Sequence, residues 1–408
     1  MVFEKLNLEN LKGVNKCALA FSGGLDTSVI ASIMKERGIE VVTITIDLGG
    51  TDVKKAGEVA KFLGTKHFTI DAQEEFWNEY IIPSVQANAL YEKTYPNFTA
   101  LGRPLIMKHM VGIAKKEKAD AVAHGSTGKG NDQVRMDNAV RALAPELKIV
   151  APVREWGLWR EEEIEYAKQK KIPINLKKSV YSTDENFYGR SIECGPLEDP
   201  SKEPPEEAFS WTVSPEKAPD KPEYVELSFE NGKPLKARIG EREYRGIEMV
   251  KKLHEVAGMN GIGRIDHMED RVVGFKSREV YEAPAAMVLI KAHEDLEKSV
   301  LSKEELTLKR TIDDRFADLV YEGKWFTPLR KQVLAYLNEN QKGVSGKVKL
   351  KLFKGSVNVV GRESPFMLYD KLTATYGKET TWNQEEGGIF TKLYGLQGNS
   401  AWHKRGEL

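Results

Sequence analysis

Ala20-Phe21-Ser22-Gly23-Gly24-Leu25-Asp26-Thr27-Ser28 decides how this chain folds. It follows the apolar run Cys17-Ala18-Leu19-Ala20 and opens a helical pattern in which Val29 and Ile30 are followed by Ile33 and Met34. Strand, glycine turn and helix start, in that order, line up free backbone N–H groups with a helix dipole, and the two together hold an anion. Adjacent glycines let the backbone approach a phosphate with no Cβ in the way. Asp26, Thr27 and Ser28 place short polar side chains where they cap free N–H groups or meet phosphate oxygens. The loop has neither the lysine nor the longer span of G-x-x-x-x-G-K-[ST], and its glycines are too close together for G-x-G-x-x-G. A merely capped turn would not require adjacent glycines and three polar residues at once.

Outward from this loop, residues 16–21 and 40–47 read as buried strands flanking a helix that ends at Gly38. Val53–Leu63 reads as helix, His67–Ile70 as strand, Ile106–Lys116 as helix, and Ala121–His124 and Lys148–Ala151 as strands. This alternation predicts an open, doubly wound, mostly parallel sheet with ligands at the carboxyl ends of its strands. The glycine-rich segments after Phe21 and after His124 both fall at such ends.

The texture changes after Trp156. Seven of the 17 prolines fall between Pro196 and Pro222, which predicts an extended surface connection. Two hairpins follow: Val225–Phe229 with Leu235–Ile239 around Asn231-Gly232, and Val348–Leu352 with Val357–Val359 around Lys354-Gly355. Between them the pattern is mostly helical, including Met287–Val300 and a stretch near Leu329–Asn338. The expected division is a nucleotide-binding α/β domain at 1–165, an α+β domain at 166–375 and a tail at 376–408. Trp382 and Trp402 suggest that the tail packs on another surface, such as a neighbouring subunit.

Lys+Arg and Asp+Glu both total 61 in 408 residues, a balance that points away from nucleic-acid and acidic-membrane partners. Cys17 and Cys194 form no C-x-x-C pair, which argues against a disulfide scaffold or zinc module. Met1–Lys12 is mixed and charged, and no long apolar span appears, so a cytoplasmic location is the expectation.

S-G-G-x-D-[ST]-[ST] resembles the signature of the PP-loop ATP pyrophosphatases, which cleave ATP between the α- and β-phosphates. Further segments narrow the resemblance: Ala89–Glu92, Leu101-Gly102-Arg103-Pro104-Leu105-Ile106, His124–Arg135 (HGSTGKGNDQVR), Ser182–Asn186, Gly263–Asp266, Lys276–Glu282 and Val360–Pro365. Together they resemble the argininosuccinate synthase family along almost the whole chain. The resemblance implies a carbon–nitrogen ligase of arginine biosynthesis that condenses citrulline with aspartate, releasing AMP and pyrophosphate. Citrulline's ureido oxygen is adenylylated first, because a ureido carbonyl is a poor electrophile, and the aspartate amine then attacks. Such chemistry asks mainly for alignment and charge neutralisation. Mg²⁺ on the phosphates and a homotetramer held partly by the tail are implied too, with no dedicated metal cage visible.

Carried over residue by residue, Ala20, Phe21, Ser22, Gly23, Gly24, Leu25, Asp26, Thr27 and Ser28, with Ile46 and Gly125, match ATP-binding positions. Thr127, Asn131 and Asp132 match aspartate positions. Tyr91, Arg135, Ser182, Ser191, Glu269 and Tyr281 match citrulline positions, with Pro96 and Thr99 as weaker matches and Asn131 between the two reactants. Asn131, Asp132 and Arg135 form the expected catalytic group. An arginine suits an amino acid's carboxylate and a glutamate its ammonium. Lys129 is an expected phosphate or carboxylate contact. Without the resemblance, Glu269 reads as part of a solvated charged face and Ser182 and Ser191 as ordinary loop residues. His67, His109 and His124 read as structural.

The chain departs from the family pattern at Phe21, where tyrosine is common, at Tyr188-Gly189-Arg190, and at Cys194, where glycine is usual. Cys194 raises a specific question, since glycine reaches φ > 0 where cysteine resists it. All three are expected away from the reacting centre. Two alternatives stay open at this point: another PP-loop adenylating enzyme with a different acceptor, and a non-catalytic nucleotide-binding regulator. The intact phosphate loop and Asn131-Asp132 pair weigh against the second. The lack of paired thiols or a basic face weighs against a tRNA sulfurtransferase.

Overall fold

The computed structural model describes residues 6–174 and 180–406; Met1–Lys5 and the last two residues of the expected tail lie outside them. Five strands, β1 (Lys16–Ala20), β2 (Glu40–Asp47), β3 (Lys66–Asp71), β4 (Ala121–Ala123) and β5 (Lys148–Val150), form one sheet of order β3-β2-β1-β4-β5. Every pairing in it is parallel. Alternation sends side chains to opposite faces. Ala18 and Val42 join a core with Leu101 and Leu105 of the helix Phe98–Glu117. Cys17, Leu19 and Val41 join another with Val29, Ile30 and Ile33 of the helix Leu25–Glu36. The helix Arg160–Gln169, which runs through the expected boundary at 165, contributes Tyr166 and Ala167 to that second core.

The strand order reverses between β1 and β4, so a crevice opens at their carboxyl ends. The Gly-Gly loop leaves β1 there, and the Gly125 segment leaves β4.

Two antiparallel sheets follow. β6 (Ser182–Asn186), β7 (Gly189–Glu193), β11 (Arg264–Asp270) and β12 (Lys276–Glu282) are ordered β11-β12-β7-β6. The strands β8 (Glu223–Glu230), β9 (Lys233–Ile239), β10 (Arg242–Tyr244), β13 (Gly346–Phe353) and β14 (Ser356–Glu363) are ordered β10-β9-β8-β13-β14. Both expected hairpins are present, and β8 pairs with β13, so they form a single sheet. The helices Gly246–Met259 and Pro284–Val300 pack their apolar residues into its core.

Three expectations need correction. The helix expected from Ile106 begins at Phe98 and carries Pro104 in its interior. The buried side chains of Phe98, Leu101 and Leu105 outweigh the hydrogen bond that Pro104 deletes. The region between the hairpins is mostly helix as expected, but it also holds an unexpected strand pair near residue 270, where β11 and β12 pair over seven positions. Their charged faces line a cleft, which hides the apolar alternation. Ser182 and Ser191 stand on strands β6 and β7 rather than loops. The Pro196–Pro222 connection is extended, with short 3₁₀ turns, and is stitched down by Glu282, whose carboxylate accepts the Ser210, Trp211 and Thr212 N–H groups.

Past residue 376 come two helices, Glu386–Tyr394 and Leu396–Arg405. Ile389, Phe390, Leu393 and Trp402 on them are all more than 60 % exposed.

Candidate active site

The Gly-Gly loop is held by its own strand neighbours. Phe21 N–H donates to the Ile44 carbonyl at 2.8 Å, and Thr45 Oγ1 donates to the Phe21 carbonyl. Gly23 has φ +68°, and a Cβ on it would stand 2.7 Å from Ala56 Cα, so only glycine fits. Ser22 Oγ and Thr27 Oγ1 lie 3.2 Å apart across the turn. No side chain caps the helix at Gly24, which leaves the first-turn N–H groups free for an anion. The buried Ser28 Oγ has no partner.

The crevice widens into a cleft of about 660 Å³ between the parallel sheet and the face of the β11-β12-β7-β6 sheet. It is lined by Ala20, Phe21, Ser22, Gly24, Leu25, Asp26, Thr27, Ile46 and Gly125, and also by Thr99, Thr127, Asn131, Asp132, Arg135, Ser182, Ser191, Glu269 and Tyr281. Gly23 and Ser28 are buried and outside the lining. Pro96 is buried outside the lining, and Lys129 is exposed at the rim rather than in it. Tyr91 lies behind the wall, stacked on Tyr321 with ring centroids 3.5 Å apart, its hydroxyl donating to the Asp270 carbonyl. Phe21 lines the cleft beside the Gly-Gly loop, with the other matched ATP-binding positions. Cys194 takes φ +75°, the conformation that its replacement of glycine called into question.

Sheet register explains which side chains meet. Ser182 pairs with Glu193, Asp184 with Ser191, and Ser191 in turn with Tyr281. Residues two apart share a face, so Asp184, Glu193 and Glu279 come to the cleft along with the matched Ser182, Ser191 and Tyr281. The Asp184 and Glu279 segments carry the family resemblance without revealing the roles of these two residues; the period-2 step from a matched residue is the signal that marks them.

The matched residues are tied into networks. Asp132 accepts from Arg103 Nη2 at 2.7 Å and from Arg135 Nη1 at 2.9 Å. Burial opposes its charge, but the two guanidiniums prevail and hold the carboxyl far below the ordinary range. Arg103 also donates to Asp184, whose carboxyl is raised by burial and by the Asp132 charge despite that arginine. Arg135 Nε donates to the Tyr321 carbonyl at 2.8 Å, while its buried Nη2 has no partner. Arg103 Nε is a second buried donor without a partner. Asn131 donates to Tyr321 Oη at 2.8 Å and accepts from the Val272 N–H at 2.9 Å. Glu269, 2 % exposed, accepts from Tyr281 Oη at 2.7 Å and from Tyr321 Oη. Burial, then the Glu269 charge, raises both tyrosines well above their ordinary value. Tyr321 ends the helix Lys303–Tyr321 and carried no sequence signal, being a tyrosine in an amphipathic helix.

His124, expected to be structural, has its Nε2 2.9 Å from Asp137 Oδ1 and also lines the cleft. At the phosphate end Glu163 packs against Asp26; burial, then the Asp26 charge, raises its carboxyl above the ordinary 4.5.

A lysine-free amide cradle at the switch point of a parallel sheet, opening on a wall of arginines, carboxylates and hydroxyls, defines a nucleotide-using enzyme of the PP-loop class. The chain matches the arginosuccinate synthase N-terminal HUP domain over residues 16–173 and the arginosuccinate synthase C-terminal domain over residues 181–401. It is 53% identical over 385 residues to an argininosuccinate synthase of Pyrococcus furiosus, covering 94% of this chain and 93% of the relative. An argininosuccinate synthase of Dictyoglomus turgidum is 51% identical, with 94% and 96% covered, and one of Pyrobaculum aerophilum is 50% identical, with 96% and 100% covered. The chain belongs to the argininosuccinate synthase family: it is an ATP-dependent ligase that joins citrulline to aspartate in arginine biosynthesis. Among the described residues no helix is long and apolar enough to cross a membrane.

Proposed function

We propose that the cleft binds ATP at its Gly-Gly end, citrulline along the antiparallel face and aspartate at the Thr127–Asp132 loop, and that it works through a citrullyl-adenylate. One observation carries this reading: side chains from residues 20 to 281 converge on one cleft, with unpartnered guanidinium N–H groups in its wall. Within Ser22–Ser28, the amides of the first helical turn, Leu25 to Thr27, take the phosphates, and Ile46 and Gly125 flank the nucleoside. The spare Nη2 of Arg135 takes citrulline's carboxylate. Glu269, fixed by two tyrosine hydroxyls, takes citrulline's ammonium, with Ser182, Ser191 and Tyr281 orienting the rest. Tyr91 supports this wall through Tyr321, and Pro96 and Thr99 shape the turn beneath it. Thr127, Asn131 and Asp132 hold aspartate, Asp132 facing its ammonium and Asn131 standing between the reactants.

Mg²⁺ takes few protein ligands and relies on phosphate oxygens. Asp26, a carboxylate at the helix start in the cleft, fits that demand, and the ion would neutralise the departing pyrophosphate. The exposed apolar residues of the last two helices suit burial against further copies of the chain, in keeping with a homotetramer, and the balanced charge suits a cytoplasmic enzyme. The expected division at 1–165, 166–375 and 376–408 into ATP-binding, synthetase and tail units accompanies this reading with its first boundary moved past the helix Arg160–Gln169, which packs in the ATP-binding core.

Steady-state assays on the purified chain test it. Pyrophosphate and AMP accumulate only with ATP, citrulline and aspartate together. Turnover without citrulline, or ADP and orthophosphate as products, overturns the reading.

A further inference from the structure

We propose that Glu193 is the base that takes the proton from the attacking amine when aspartate displaces AMP from the activated ureido carbon. The proposal rests on the substrate placement above and goes beyond it by assigning the proton.

Glu193 closes strand β7 two residues after Ser191, on the same face, opposite Ser182 in register. It lines the cleft with a side chain 43% exposed, so its carboxylate can meet a substrate. On the other side, Arg271 Nη1 donates at 3.2 Å to the Lys129 carbonyl in the loop assigned to aspartate. Glu193 thus stands between the citrulline wall and the aspartate loop.

The other cleft-lining carboxylates are committed. Asp132 and Asp184 are held by arginines, Glu269 by two tyrosine hydroxyls, and Asp26 packs against Glu163. Glu279 accepts from Arg271 Nη2 at 2.7 Å and from Ser277 Oγ. Arg271 reaches Glu193 only at 3.4 Å, through the same Nη2 that serves Glu279. Glu193 is therefore the loosely held carboxylate of the cleft. Withdrawal from solvent, then the charges of Glu279 on β12 and Asp132 on its helix, outweigh Arg271 and push its carboxyl up to about 7. A base at that level is about half ionised at neutral pH and strong enough to accept a proton.

The step balances. Aspartate's ammonium first yields one proton to solvent, and the nitrogen lone pair forms the N–C bond. The bond from carbon to the adenylyl oxygen breaks with its electron pair going to AMP. The surplus proton on nitrogen passes to Glu193, which later releases it to water.

Rapid-quench kinetics on the full-length Glu193→Gln and Glu193→Asp variants separate the two half-reactions. With ATP and citrulline alone, Glu193→Gln is expected to form enzyme-bound pyrophosphate at the wild-type rate. On adding aspartate, argininosuccinate formation is expected to slow by about 10²–10⁴-fold, and the acid limb of its pH profile to disappear. Glu193→Asp, which keeps a carboxylate one methylene short, should be slowed less and should keep the acid limb. Condensation by Glu193→Gln within about threefold of wild type would assign the proton to a phosphate oxygen and overturn the proposal. So would equal loss of the pyrophosphate burst, which marks a binding or structural role. If the Gln variant does not fold, an Asp variant with an unchanged condensation rate overturns it. A wild-type enzyme without a citrulline-dependent burst would instead refute the underlying substrate placement.

Discussion

Replacing Tyr321 by phenylalanine deletes one oxygen from behind the cleft wall and leaves the ring in place. That oxygen donates to Glu269 and accepts from Asn131 Nδ2 at 2.8 Å, and the tyrosine is fully buried. The ring's stack on Tyr91 and the Arg135 guanidinium 4.8 Å from its centroid survive the change, as does the Arg135 bond to the Tyr321 carbonyl. What remains is a buried amide donor and a buried carboxylate oxygen without partners. Each such loss costs about 1–3 kcal/mol, with the charged group toward the upper end, so about 2–4 kcal/mol of stability should go. Glu269 would also lose one of the two hydroxyls that aim it. If it takes citrulline's ammonium, the loss of one charge-assisted bond's worth of orientation, about 1.5–3 kcal/mol, raises the citrulline KM by roughly 10–150-fold. The ATP KM should barely move, since the phosphate loop touches none of these atoms. Urea unfolding and steady-state kinetics with each substrate varied supply the measurements. An unchanged unfolding midpoint together with an unchanged citrulline KM would refute the reasoning, and a larger effect on ATP than on citrulline would move Tyr321 to a different substrate.

Two further outcomes follow from the same networks. Asp132→Ala removes the carboxylate shared by Arg103 and Arg135 and should raise the aspartate KM by about 10–100-fold, far more than the ATP KM; equal effects on both would show Asp132 to be misassigned. Glu163, raised above 4.5 in the folded chain, stays protonated where the unfolded chain has released its proton, so its contribution to stability falls as pH rises above 4.5. Glu163→Gln should therefore gain stability relative to wild type between about pH 5 and pH 8 in thermal melts, and a pH-independent difference would show that burial and the Asp26 charge do not raise its carboxyl in the folded chain.

The parallel half of the molecule was legible because its strands are buried on both faces and read as apolar runs, and because Gly23 and Gly24 have no cheaper explanation than close approach to an anion. The hairpins at Asn231-Gly232 and Lys354-Gly355 were legible through turn chemistry. The cleft face of β6, β7, β11 and β12 was not. Its strands carry Asp184, Glu193, Glu269 and Glu279 where a core-facing sheet would carry valine, so the substrate wall erases the pattern by which strands are read. Glu269 and the two serines entered only through resemblance, and Arg103, Glu193 and Tyr321 were missed because their importance lies in partners 29 or more residues away.

The cleft draws on the chain from Ala20 through Tyr281, with Tyr321 buttressing it. A ribosome delivers the phosphate cradle long before the residue that locks Asn131 and Glu269 in place. A half-made chain can thus fold a nucleotide pocket while lacking the wall that admits an acceptor.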